Sequence, residues 1–196
     1  MNLQRLTHPL SSTPRKGNVA PTVLVLHATA GASAMSSIDY LRTKGNAYHF
    51  IIARDSKDSP WTYQADGSES VIYQCVRYQH RASHVSSTIP VPGTKDGLIN
   101  DHAIAVSLAN FQQKVKLDPH AGPEEYTDQQ MLALHGVLTL IKQDVPSIRY
   151  LTTHAVVQPW NRADPVRIDG KAIAERFGWE WWQPSAAVVA KHRPRR

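Results

Sequence analysis

The run Thr22-Val23-Leu24-Val25-Leu26-His27 limits what this chain can fold into more than any other stretch. A half-buried strand alternates apolar and polar residues, whereas an unbroken apolar run of this length reads as a strand buried on both faces. Such a strand needs partners on both edges and cover above and below. The chain offers those partners at Tyr48–Arg54, Val71–Val76, Ala103–Leu108 and Arg149–Thr153. Helical patterns separate the strands, which predicts an α/β fold: a single domain with a central mixed β-sheet flanked by helices. A length of 196 residues suits one domain with a real core. The chain is expected to divide into an N-terminal arm at 1–20, rich in turn formers and either packed on the domain or partly disordered, a main domain at 21–184 and a basic tail at 185–196.

The helices carry their own punctuation. Ser33 caps a helix in which Met35, Ile38 and Leu41 recur at helical spacing, and Gly45 stands just past its end. Thr127 and Gln130 form a capping box ahead of an apolar stripe of Leu132, Leu134, Leu138, Ile141 and Val145, which Pro146 stops. Asp169 caps a helix through Phe177, closed by Gly178. Two stretches read as loops: Arg77–Asp101, long enough to form one wall of a groove, and the polar Phe111–Tyr126. Trp179, Trp181 and Trp182 read first as cover for a hydrophobic edge and second as a sugar-stacking platform. The lone Cys75 excludes an internal disulfide or a thiolate metal cluster and reads as a small buried apolar residue.

Chemistry concentrates between Thr152 and Pro165. His154 ends a short strand, and a proline-containing loop then delivers Arg162 and Asp164 two residues apart. Imidazole nitrogen and carboxylate oxygen together suit zinc, and a catalytic zinc site takes three protein ligands with one open position. The best candidate for the missing donor is His27, at the end of the apolar run. With 10 histidines in the chain, a lone histidine at a strand end is ordinarily polar surface or a satisfied core group. No short-range ligand spacing singles out His27.

Five segments in order carry a family resemblance. Val25-Leu26-His27-Ala28-Thr29-Ala30-Gly31 resembles the opening motif of the type-2 N-acetylmuramoyl-L-alanine amidases and peptidoglycan recognition proteins. Ala47–Asp55 resembles their second strand, Tyr73-Gln74 and Ser83-His84 their third strand and following loop, His102–Leu108 their fourth strand, and His154–Pro165 their closing motif. The resemblance spans roughly Ala20 to Gly178. It implies one zinc ion held by His27, His154 and Asp164 at one edge of a substrate groove. It implies hydrolysis of the amide between N-acetylmuramic acid and L-alanine of the stem peptide. Tyr48 and Arg162 then fall at catalytic positions, and His84, Ser107 and His49 at substrate-binding ones. Tyr48 also reads as a groove-lining aromatic, and His49 as an inward-facing strand residue with a satisfied hydrogen bond. Two departures stand out. Arg162 occupies a position where the family usually has lysine, and guanidinium is a poor proton donor. Ser107 stands where some members have glutamate, and serine is no comparable base.

The resemblance implies a peptidoglycan or muropeptide partner. A net charge of +6 favours polyanions and is partly gathered in Lys191-His192-Arg193-Pro194-Arg195-Arg196. That tail reads equally as a solvated solubility element and as an electrostatic contact with an anionic envelope. The chain has no recognisable nucleic-acid motif, so no specific nucleic acid is expected. Residues 1–18 lack the apolar core of a signal peptide, and no run approaches the roughly 20 apolar residues of a membrane span. The expectation is synthesis in the cytoplasm and action on the cell wall in the periplasm after holin-type or other release. A phage endolysin is the leading biological role, with a muropeptide-recycling amidase and a non-catalytic recognition module as alternatives.

Overall fold

The apolar run lies at the heart of a seven-stranded sheet in the computed structural model, which describes residues 1–6, 9–60, 63–94, 97–111 and 125–194. In chain order the strands are β1 (Asn2–Arg5), β2 (Ser12–Pro14), β3 (Val23–Ala28), β4 (Phe50–Ile52), β5 (Val71–Gln74), β6 (His80–Ala82), β7 (Ala103–Leu108), β8 (Tyr150–Thr153) and β9 (Glu180–Trp181). The helices are α1 (Ala34–Lys44), α2 (Ile99–His102), α3 (Asp128–Asp144), α4 (His154–Val157), α5 (Gly170–Phe177) and α6 (Ala186–His192). The sheet order is β1-β5-β4-β7-β3-β8-β9, and β2 pairs with β6 separately. From β4 to β9 all neighbours are parallel; β5 runs antiparallel to β4 and carries β1 parallel to itself. The sheet is therefore mixed, as expected.

The period-2 alternation of β3 assigns its two faces. Leu24 and Leu26 join Phe50, Ile52, Ile104, Val106 and Leu108 under α3 and α5. Val23 and Val25 join Val85, Ile89, Val91, Ile99 and Val157 on the other face, beneath the Arg77–Asp101 segment. A fully buried Leu or Ile of this kind contributes about 1.5–3 kcal/mol. Both caps form, each as a capping box: Ser33 Oγ accepts from Ser36 N, and Thr127 Oγ1 from Gln130 N. Asp58 adds to the first cap by accepting from Ala34 N and Met35 N at 2.7 Å each.

Several expectations need correction. The segment 1–20 supplies β1, β2 and the buried Arg15. Short, polar edge strands have no period to read, which is why they were legible only as an arm. The Arg77–Asp101 loop contains β6 and α2. Leu132 is 64% exposed, and the packed stripe of α3 is Ala133, Leu134, Val137, Leu138 and Ile141. The strand read as Tyr48–Arg54 is regular only over Phe50–Ile52, with His49 N and Ala53 N donating to Ala105 O and Val71 O at its ends. The tryptophans act as cover. Trp179 stacks on Phe177 at 5.1 Å, the Trp181 ring lies against Gly170, and Trp182 is buried beside Val25 on the opposite face. Most of the Phe111–Tyr126 stretch, 112–124, lies outside the described residues, as do Arg195 and Arg196 of the tail. In the rest of that tail, Ser185 caps α6, and Val188 and Val189 pack on the core. Among the described residues no helix is long and apolar enough to cross a membrane.

Candidate metal centre

The two histidines meet because of strand register. β3 and β8 are adjacent and parallel, with Leu26 opposite Thr153 as their last registered pair. One step further along each chain stand His27 and His154, with ring centroids 4.5 Å apart. This is the carboxyl end of the parallel strands, where open α/β sheets gather their sites. The chain turns through α4 and comes back, and Ala155 N donates to Asp164 O at 2.9 Å to close the return. The Asp164 carboxylate then lies across both strand ends, its Oδ2 accepting from Ala28 N at 3.2 Å. His27 Nδ1 is 3.6 Å from Asp164 Oδ2, and His154 Nδ1 is 3.2 Å from Oδ1.

This donor set fits a cation. One ligand atom from each of His27, His154 and Asp164 lies within 4.8 Å of the others. Two atoms bound to one tetrahedral zinc at about 2.0–2.1 Å stand about 3.3 Å apart, close to the 3.6 and 3.2 Å from Asp164 to the two imidazoles. The protonation states agree. Burial, and then the charge of His154, lower His27 to about 4. Burial would raise the Asp164 carboxyl, but the charge and hydrogen bonding of His154 and His27 outweigh it and hold it well below the usual range. Neutral imidazole and carboxylate are the forms that bind metal. Three ring nitrogens of this histidine cluster, His27 Nδ1, His84 Nε2 and His154 Nε2, are buried without a hydrogen-bond partner among the described residues. Such a concentration marks a site rather than a packed core. Cys75 lies elsewhere, buried, with its thiol pushed up to about 12 by that burial.

The remaining sequence candidates separate. Tyr48 comes to the centre, its ring 4.8 Å from that of His27. Burial first, and then the charge of Asp164, raise its phenol, so it stays a hydrogen-bond donor. The exposed Arg162 lowers His27 and Tyr48 through its charge, which puts it within electrostatic reach of both. Ser107 sits opposite His27 in the β3–β7 register, fully buried. His84 is present but turned inward: its Nδ1 is 2.9 Å from His27 Nε2. It was expected in the groove wall, and the structure puts it behind a proposed ligand.

His49 is not part of the centre. Its Nδ1 accepts from Ala105 N at 3.0 Å, so Nε2 carries the hydrogen and donates to His80 O at 3.0 Å. Arg15 packs against it at 3.1 Å while donating to the carbonyls of Tyr78, Asn100, Asp101 and Ala103. Both ring nitrogens are spent on backbone, so a substrate-binding role fails for want of a free atom.

Three further residues escaped the sequence reading. Asn100 Oδ1 accepts from His84 N and Val85 N, and Gln158 Oε1 accepts from Ser86 N and Ser86 Oγ. Tyr126 has a buried phenol without a partner among the described residues, raised by burial and then by the nearby Asp164 charge. No local pattern reports such contacts, because each joins residues distant in sequence.

Comparison with known proteins adds the lineage. No curated protein matches. AMPDH3 from Pseudomonas aeruginosa is similar in structure, with a TM-score of 0.66 at 21% identity over 97% of this chain and 76% of that one. AmiD from E. coli, an N-acetylmuramyl-L-alanine amidase solved with the substrate anhydro-N-acetylmuramic acid-L-Ala-D-gamma-Glu-L-Lys, matches at 0.60 and 22% identity over 87% of this chain and 62% of its own. A Drosophila PGRP-LB mutant matches at 0.52 and 16% identity over 91% and 98%. At such identities these likenesses speak for the fold. The profile of N-acetylmuramoyl-L-alanine amidase matches residues 17–167, a span that holds His27, Tyr48, His84, His154 and Asp164, and by that match the chain belongs to the N-acetylmuramoyl-L-alanine amidase family.

Proposed function

We propose that this protein is a zinc-dependent peptidoglycan amidase that hydrolyses the amide between the lactyl group of N-acetylmuramic acid and L-alanine. The observation that carries the reading is the meeting of His27, His154 and Asp164 at adjacent strand ends, with Tyr48 beside them. His27, His154 and Asp164 would hold the ion. When bound, zinc polarises a carbonyl and brings the pKa of water to about 7. Tyr48 donates a hydrogen bond toward the oxygen that becomes negative as the amide carbon turns tetrahedral. Arg162 adds positive charge from the solvent side and keeps its proton, so it stabilises rather than transfers. The buried Ser107 leaves the β7 position without a base.

The substrate of AmiD, a muramic acid joined to a peptide through L-Ala, supports the choice of bond. In this reading the partner is peptidoglycan or a muropeptide, met in the periplasm, and a phage endolysin is the leading biological role. Incubation with purified sacculi tests it. New N-terminal L-alanine should appear by mass spectrometry, disappear with a chelator and return with zinc. Release that ignores the chelator would rule out the metal mechanism. A second reading, recognition without turnover, is favoured by Arg162 and Ser107 at the two departing positions; bound zinc without any release would support it.

A further inference from the structure

We infer that His84 is the positioning residue of the metal centre, selecting the form of His27 that can bind zinc; the inference rests on the zinc reading above. A neutral imidazole has one N–H and one lone pair. For His27 to offer its Nδ1 lone pair, the hydrogen must sit on Nε2. That nitrogen is 2.9 Å from His84 Nδ1, with the two rings edge to face at 89°. His84 Nδ1 then accepts, and His27 is locked in the metal-binding tautomer. In the reverse arrangement His84 would donate, and His27 Nδ1 would carry a hydrogen facing Asp164 Oδ2 at 3.6 Å, unable to bind a cation. One contact between two buried rings therefore separates a ligand from an ion-pair donor.

The His84 hydrogen then lies on its buried Nε2, and the surroundings hold the His84 backbone in place. Asn100, on α2, fixes the backbone on either side of it: Oδ1 accepts from His84 N at 3.2 Å and Val85 N at 3.1 Å, and Nδ2 donates to Val85 O at 2.8 Å. The next residue, Ser86, donates to Gln158 Oε1 from both N and Oγ, at 2.9 and 3.1 Å. Gln158 is fully buried in the loop between His154 and Asp164, and its N donates to His154 O at 2.9 Å. The segment behind His27 is thus tied to the segment that delivers the other two donors. Metal-binding histidines ordinarily have their second nitrogen held by a carboxylate, carbonyl or water, which fixes tautomer and orientation. Here another imidazole does it.

The test is zinc affinity, read by chelator competition on the wild-type chain, His84→Leu and His84→Asn, with unfolding of each metal-free protein followed in parallel. Leucine keeps bulk but has no acceptor; asparagine sets an oxygen near the place of Nδ1. The expected result is a loss of about 10- to 100-fold in zinc affinity for His84→Leu. Most of it should return in His84→Asn, and nitrogen-15 NMR of the zinc-loaded wild type should place the His27 hydrogen on Nε2. Equal zinc affinity in all three proteins overturns the role of His84, and so does an equal loss in both variants. A wild-type chain that binds no zinc overturns the metal reading itself, and this inference with it.

Discussion

Two histidines, His27 and His49, are both fully buried and both shifted acid-ward, to about 4 and about 3. Around His49 both ring nitrogens are consumed. Ala105 N–H and His80 O take its two nitrogens, and Arg15 closes the space beside it. Around His27 only one nitrogen is consumed, by His84, while the other faces Asp164. Burial and shifted acidity do not distinguish a ligand from a structural histidine. Counting hydrogen bonds does: the His49 ring is satisfied by backbone, and the His27 ring keeps one nitrogen for a proposed ion.

The largest expected effect breaks the working side of the contrast. Asp164→Ala removes the carboxylate that spans both strand ends and should reduce both zinc content and release of N-terminal alanine to background. Metal analysis and sacculus digestion check it. Next, Tyr48→Phe should leave zinc content unchanged and lower kcat by about 100- to 1,000-fold, the usual cost of losing one oxyanion donor. A change in KM alone would instead assign Tyr48 to ground-state contact with the substrate.

The structural side should behave in the opposite way. His49→Leu strands the Ala105 N–H and the His80 carbonyl, and should cost about 1–3 kcal/mol in denaturant unfolding for each buried group left unpaired. Its zinc affinity should stay at the wild-type value. The acidity of His49 also fixes a sign. Burial first, and then Arg15, lower it from 6.5 to about 3, so below pH 6.5 the unfolded chain binds a proton that the fold refuses. Its contribution to stability is whole above pH 6.5 and is lost as pH falls toward 3. His49→Asn, which keeps an acceptor for Ala105 N–H, should flatten the stability profile across that window relative to wild type. An unchanged slope would assign the acid sensitivity to other groups.

The smallest effect belongs to Arg162, which is exposed and screened by solvent. Arg162→Ala should lower kcat by about 10-fold or less, weakening further as salt rises. Arg162→Lys should retain activity, since the charge remains, and a full loss there would mean that the guanidinium makes a contact lysine cannot replace.

Much of this was legible before any coordinates. The unbroken apolar run marked β3 as a strand buried on both faces, Ala103–Leu108 was read with its observed bounds, and Ser33, Thr127 and Asp169 cap the helices they were expected to cap. These are local signals, set within a few residues. The candidate ligands were legible only through the family's motif order, because the register that brings His27 beside His154 joins strands far apart in the chain. The sequence set His84 in the groove and offered His49 also as an inward-facing residue with a satisfied hydrogen bond, the reading that the backbone contacts of His49 bear out. What separates them is whether a backbone N–H from β7 or an imidazole from β3 stands opposite the ring, and no spacing encodes that. β1 and β2 were missed because edge pairing is made by backbone groups and leaves little trace in side-chain pattern.

The most direct measurement is X-ray absorption at the zinc edge on the purified zinc-loaded protein. The expected spectrum shows only nitrogen and oxygen neighbours at about 2.0–2.2 Å, with the outer-shell scattering of two imidazoles, and loses one imidazole in His154→Ala. A sulfur neighbour at about 2.3 Å, or a spectrum that the His154→Ala change leaves untouched, would contradict the assignment of His27, His154 and Asp164 as the metal centre.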